Sequence, residues 1–210
     1  MLEMMRKHAI TLAVFALVCT AFIAFTHNLT KQVIVEQEQA QLLRVLDELL
    51  PPSSYDEPLF NHCVMLTNEQ FLGSSQALPV FTAIKDGQPQ GYAIEAIAPD
   101  GYSGDIKLVV GVNIDGSLSG VRVLNHNETP GLGDKIELSR SNWVLSFNGK
   151  TLLGEDDARW AVRNDGGQFD AFTGATITPR AVVKAVRKVL LLVKQQPQLL
   201  TQAPACGGAL

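Results

Sequence analysis

From Ala9 to Phe25 the chain carries no charged side chain, and only Thr11, Cys19 and Thr20 interrupt its apolar run. A stretch of that length lies at the short end of what crosses the hydrocarbon core of a bilayer as a helix. Arg6 and Lys7 precede the run, and the nearest Lys or Arg after it is Lys31. The positive-inside rule then places residues 1–8 in the cytoplasm, 9–26 in the membrane and the rest on the far side. A cleaved signal peptide and a lipoprotein are the competing readings. Ala24-Phe25-Thr26 makes a poor cleavage site, and Val18 stands before Cys19 where a lipoprotein needs a small residue. A retained single-span anchor fits best.

At 210 residues the chain has room for one soluble domain of ordinary size beside that appendage. A formal net charge of −4 carries no nucleic-acid footprint. Cys19 lies in the apolar run, whereas Cys63 and Cys206 flank the region that folds and would share an oxidising compartment. A disulfide and a pair of free thiols are both open for them. Three scattered cysteines cannot hold a four-thiolate iron–sulfur cluster, so any electron transfer needs another cofactor.

Residues 27–50 read as a helix leading from the membrane, with Val33, Leu42, Val45, Leu46 and Leu49 on its apolar stripe, stopped by Pro51-Pro52. Residues 51–78 are rich in Ser, Asn, Gly and Pro and read as an irregular linker. The pattern then changes to strands. Val80–Ile84 and Tyr92–Ile97 form one expected hairpin; Ile106–Ile114 and Leu118–Leu124 form a second across Asp115-Gly116. Leu138 to Phe147 is helical or irregular, and Trp160-Ala161-Val162 a short strand. A second strong helix runs from Pro179 to about Lys194. Val182, Val183, Val186, Val189, Leu190 and Val193 form its apolar side, and its basic residues read as a solvated face. Residues 197–210 read as a tail, loose up to Cys206. Strands followed by a packing helix imply an α+β domain over 79–196 with an antiparallel sheet.

Three glycine-bearing segments are candidates for a site. Glu128-Thr129-Pro130-Gly131-Leu132-Gly133, followed by Lys135, is a tight loop that can offer N–H groups and the apolar Leu132 to a ligand. Tyr102, in Gly101-Tyr102-Ser103-Gly104, can stack there or simply fill the domain edge. His126 beside Glu128 has no further ligand placed by spacing, so no metal site is expected. The third segment, Asp170-Ala171-Phe172-Thr173-Gly174-Ala175-Thr176, precedes Thr178-Pro179 at the start of the second helix. Thr178 suits the N-cap, Pro179 the first helical position, and Gly174 a close backbone approach. The plain alternative is an ordinary capped strand-to-helix turn.

Asp170 to Thr176 resembles the D-x-x-[ST]-G-A-T signature on which FMN is esterified to a threonine hydroxyl. With Arg6–Leu12, Ala98–Gly104, Glu128–Leu138, Phe172–Val183 and Pro204–Cys206, the chain resembles the G-subunit family of the Rnf (Rsx) electron transport complex over nearly its whole length. That family is related to the C subunit of the sodium-pumping NADH:quinone reductase. The resemblance implies a single-pass protein of the bacterial inner membrane with a periplasmic FMN-binding domain. It implies FMN carried covalently by Thr176 through a phosphodiester, installed by an ApbE-type transferase from FAD. Thr173, Gly174, Ala175 and Asp170 would belong to the attachment motif. The partners implied are the other members of the complex, the transferase and membrane lipid. Such a protein relays electrons without turnover of its own; a membrane-anchored FMN module that senses redox state is the alternative.

Overall fold

The computed structural model describes residues 2–207; Met1 of the expected cytoplasmic segment and residues 208–210 of the expected tail lie outside the described residues. The chain forms two compact units, Met1–Leu42 and Leu43–Leu210. Helix α1 (Leu2–Leu49) runs without interruption through the stretch read as an anchor and a following helix. Its portion Glu3–Lys31 is long and apolar enough to cross a membrane. Phe15, Leu17 and Phe22 are exposed there. Thr11 and Thr20 donate their hydroxyls to the carbonyls of Lys7 (2.9 Å) and Ala16 (2.8 Å), so neither presents an unpaired polar group along the apolar stretch.

The second unit is built on a five-stranded antiparallel sheet in sequential order: β1 (Cys63–Leu66), β2 (Leu78–Lys85), β3 (Gln88–Ala98), β4 (Ile106–Asn113) and β5 (Leu118–Asn125). The β2–β3 turn has both Asp86 (φ 51°) and Gly87 (φ 71°) in the left-handed region, which matches the twist of the strands it joins. Alternation along the strands gives the sheet two faces. Val80, Ile94, Ala96, Leu108, Val110 and Val121 meet the apolar side of α3 (Ile177–Gln195), where Val182, Val186, Val189 and Leu192 are buried. Phe81, Ala83, Ala93 and Val109 alternate with them and belong to the opposite face.

The last turns of α1 bring Val45, Leu46 and Leu49 to that second face, followed by Leu50, all buried, and Phe60 meets Phe81 there edge-on at 5.5 Å. Gly111 and Gly120 are directly paired across β4 and β5. A Cβ on either would come within 3.0 Å or 2.9 Å of the Leu49 side chain. The paired glycines form the notch that seats Leu49, and Arg122 binds Glu48 beside it (2.6 Å). Glu95 is buried, with Lys107 at 2.7 Å. Burial pushes its carboxyl above the ordinary range against the pull of the Lys107 ammonium.

Three expectations need correction. Residues 51–78 are no structureless linker: they hold two 3-10 turns, strand β1 and α2 (Glu69–Leu72), which Asn68 caps through Phe71 N–H (3.2 Å) and Gly73 ends at φ 73°. Strand β1 is specified by its pairing with β2 and not by its own short, uneven pattern. Trp160-Ala161-Val162 is no strand: only Val162 makes an isolated bridge, to Phe169, in a segment of turns. The tail is not loose before Cys206. Helix α4 (Leu199–Gln202) buries Leu200, Ala205 bridges Val64, and Met65 donates to the Pro204 carbonyl (2.8 Å). Pairing to the free edge of β1 gives those backbone groups the partners they would lack in a free tail.

Cys63 and Cys206 are joined by a disulfide across a sequence separation of 143, and Cys206 N–H donates to the Cys63 carbonyl (2.9 Å). On the chain-entropy account a loop of that size stabilises by on the order of 4–5 kcal/mol, less any strain. Thiol labelling under denaturing, non-reducing conditions should therefore find Cys19 alone reactive. Reduction should lower the urea midpoint by a corresponding amount; reactivity at all three cysteines in protein from an oxidising compartment would contradict the bridge.

Candidate functional site

The turn that ends in Thr176 is closed by Ala175 N–H donating to the Phe172 carbonyl (3.1 Å), with Gly174 at φ 80°. That left-handed angle is why glycine stands there. Trp143 holds the approach to the turn. Its indole Nε1–H donates to the Asp170 carbonyl (2.8 Å), and its ring meets Phe172 edge-on at 5.1 Å. Ser141 caps the 3-10 turn Asn142–Phe147 that carries Trp143, by accepting from Trp143 N–H (3.1 Å).

Helix α3 begins at Ile177, two residues before Pro179, with Thr176 at the N-cap position. Thr178 is therefore not the cap, and Pro179 is the third helical residue. Proline is tolerated there because the first four N–H groups of a helix have no intrahelical partner. Thr176 is half-buried and its hydroxyl makes no capping bond. It stands at the positive end of the helix dipole beside N–H groups of the first turn.

A cavity of about 290 Å³ opens beside it, lined by three segments. Tyr102 contributes from the first glycine loop. Thr129, Leu132 and Gly133 contribute from the second. Gly174 to Thr178 form the third wall. Tyr102 is largely exposed and Leu132 and Ile177 partly so, and these side chains rim the mouth. The second loop folds back on itself, with the N–H groups of Leu132 (3.1 Å) and Gly133 (3.0 Å) both donating to the Thr129 carbonyl.

The structure thus brings Tyr102, Thr129, Leu132, Gly133, Gly174, Ala175 and Thr176 to one cavity, and adds Ile177 and Thr178. The other candidates stand elsewhere. Thr173 is exposed in the turn. Asp170 turns its carboxylate outward to Arg163 (3.1 Å). Lys135 is half-buried in the 3-10 turn Gly133–Ile136 and does not line the cavity. Gly131 has φ 78° and open space where a Cβ would lie. Glu128 is buried behind the cavity wall, where Oε1 accepts Ser103 N–H (2.9 Å) and Oε2 accepts the Thr178 hydroxyl. His126 accepts Glu128 N–H at Nδ1 (3.0 Å) and pairs with Glu137 through Nε2 (2.7 Å). Sequence reasoning missed Ser103, Trp143 and Ile177, which act through backbone position or a single indole bond and leave no pattern of their own.

The basic side of α3 is committed to loops. Arg180 binds Asp165 through two bonds (2.6 and 2.8 Å), Lys184 binds Asp100, and Lys194 reaches the Leu153 carbonyl (2.6 Å). Arg187 donates to the Glu155 carbonyl. These contacts tie the loops of the unit to the helix that starts the site.

The residues fit a phosphate ester carried by Thr176. An uncapped hydroxyl, first-turn N–H groups and an adjoining cavity lie together. The cavity volume is near the lower end of roughly 300–1,000 Å³ for ligand pockets.

Residues 101–191 match the FMN-binding domain family, and residues 1–49 match the RnfG N-terminal region. The chain is 53% identical to the G subunit of the ion-translocating oxidoreductase complex of Vibrio atlanticus, over 99% of this chain and 100% of that one. It is 52% identical to the protein of the same name in Aliivibrio fischeri over 97% of both chains. It is 48% identical to that of Shewanella loihica over 95% of this chain and 94% of that one.

In the second loop Gly133, and not Gly131, is the glycine that close approach demands. A Cβ there would stand 2.9 Å from the Glu128 Cβ and 3.0 Å from both Glu128 Oε2 and Thr178 Oγ1. Gly133→Ala should cost about 1–3 kcal/mol in a urea melt. Gly131→Asn should cost little, because asparagine tolerates the left-handed region. Equal losses would remove the distinction.

Proposed function

The chain belongs to the family of G subunits of the ion-translocating oxidoreductase complex, and on that premise we propose that it relays electrons through FMN carried covalently by Thr176. The observation that carries this reading is the half-buried, uncapped hydroxyl of Thr176 at the start of α3, beside the cavity. A threonine hydroxyl does no redox work, but it can be esterified. In the transfer an ApbE-type enzyme presents FAD. The bond from Thr176 Oγ to the FMN phosphorus forms, the pyrophosphate bond breaks, AMP leaves, and the hydroxyl proton passes to a base of the transferase or to water.

Bound FMN supplies one- and two-electron chemistry that no side chain of this protein has. The protein's own residues do the holding. First-turn N–H groups and the helix dipole favour the phosphodiester anion. Leu132, Tyr102 and Ile177 offer apolar and aromatic surface at the cavity mouth, and the Thr129 loop gives it a fixed backbone wall. The ester retains the group whatever its redox state, as a relay requires.

The positive-inside rule, read from Arg6 and Lys7, puts this unit across the membrane from residues 1–8, which for a bacterial inner-membrane protein of this family is the periplasm. The lipid bilayer, the transferase and the other members of the complex are then its partners. A reporter fused at the C-terminus should show periplasmic activity; a cytoplasmic signal would reverse the orientation.

Attachment is tested by denaturing electrophoresis of protein made with the transferase. In-gel flavin fluorescence should be present in the wild type and absent in Thr176→Ala, whose unfolding free energy from a urea melt should stay within about 1 kcal/mol of wild type. Thr173→Ala should have a smaller effect on attachment. Fluorescence persisting in Thr176→Ala would sink the assignment.

A further inference from the structure

We propose that Glu128 is the positioning residue of the Thr176 site, one buried carboxylate that holds the three cavity-lining segments together before any flavin arrives. The inference rests on the reading of Thr176 as the attachment residue. Glu128 is 4% exposed. Its Oε1 accepts the N–H of Ser103 (2.9 Å), next to Tyr102 of the first wall. Its Oε2 accepts the hydroxyl of Thr178, which is fully buried in the first turn of α3 and belongs to the third wall. Glu128 itself begins the loop of the second wall, and the bond from its N–H to His126 Nδ1 (3.0 Å) anchors it there.

The neighbouring glycines make room for this carboxylate. A Cβ at Gly101 would come to 2.9 Å from Oε1, and one at Gly133 to 3.0 Å from Oε2. Both walls therefore close directly onto the carboxyl group. Among the described residues near the cavity, no other side chain bonds to both the Gly101–Gly104 loop and α3. Removing the carboxyl group leaves a buried hydroxyl and a backbone N–H without partners, which costs far more than losing an exposed bond.

The hydroxyl chemistry supplies a rescue. A glutamine at 128 can accept Ser103 N–H with its carbonyl and donate its amide to Thr178 Oγ, because a hydroxyl serves as donor or acceptor. Glutamine thus keeps both ties without the charge, whereas alanine cuts both. Thr178→Val cuts the helix tie alone while keeping the volume.

Four full-length proteins decide the matter: wild type, Glu128→Gln, Glu128→Ala and Thr178→Val. In the unloaded proteins, amide hydrogen exchange is read at Ser103 and at the start of α3. Flavin transfer is then timed with purified transferase and FAD, and the visible circular dichroism of the loaded protein recorded. Glu128→Ala should speed exchange at Ser103 by about tenfold or more and slow transfer by a similar factor, as expected for loss of a charge-assisted bond. Its flavin dichroism should be weakened. Glu128→Gln should stay within about twofold of wild type in all three, since both bonds survive.

Thr178→Val should shift exchange at the helix start and the dichroism in the direction of Glu128→Ala. Wild-type exchange and dichroism in Glu128→Ala overturn the proposal. Should that variant not fold, wild-type values in Thr178→Val, or failure of glutamine to rescue, overturn it instead. If the wild type takes no flavin at Thr176, the attachment reading fails, while exchange in the unloaded proteins still decides the role of Glu128.

Discussion

A sheet buried on both faces needs two covers, and the rest of the second unit follows from where it finds them. Helix α3 supplies one with a stripe of valines. The other comes from Leu46 and Leu49 at the end of α1 and the Leu50 that follows, with Leu49 seated where Gly111 and Gly120 face each other across two strands. Each side chain lies against surface that would otherwise meet water, and burying a leucine contributes about 1.5–3 kcal/mol. Helix α3 has a second duty, because its first turn is a wall of the cavity. The packing that covers the sheet also fixes Thr176.

Much of this can be read from the residues. Helix α3 shows a clean period because its apolar stripe is matched to one face, while the strands of the two hairpins are legible as near-continuous apolar runs bounded by turns, because both faces of the sheet are buried. The end of α1 is legible through Val45, Leu46 and Leu49, stopped by Pro51-Pro52. Strand β1 is not legible, since four residues flanked by polar loops carry too short a pattern, and pairing with β2 specifies them. Helix α3 begins earlier than Thr178-Pro179 suggests, because a proline fits anywhere in the first turn and does not mark its start. In sequence Thr178 looks like a cap; burial turns its hydroxyl inward to a carboxylate fifty residues earlier in the chain.

The candidate site shows the same division. The loops around Tyr102, Leu132 and Thr176 are each visible as glycine-bearing turns, and the fold brings all three to one cavity. Which residues face the cavity and which stand behind it cannot be read from the motifs. Glu128 and Leu132 lie in one short loop, yet one is an internal strut and the other is on the rim. Gly131 and Gly133 look equivalent in sequence, but one serves a backbone angle and the other a steric contact. Such differences depend on segments far apart in the chain, so no local pattern records them.

The outer edge of β1 takes its partner from residues 204–206, made long after Cys63–Leu66. During synthesis that edge has no mate while the intervening hairpins and α3 emerge, and an unpaired edge is a template for other chains. The strand is very short, which limits how much a stray segment can gain from it. The order of manufacture thus gives the molecule a vulnerable interval, which closes only when Ala205 and Cys206 arrive and the bridge is oxidised. Premature termination between the end of α3 and Pro204 would leave a domain with α3 and its hairpins in place and one side of its sheet permanently open.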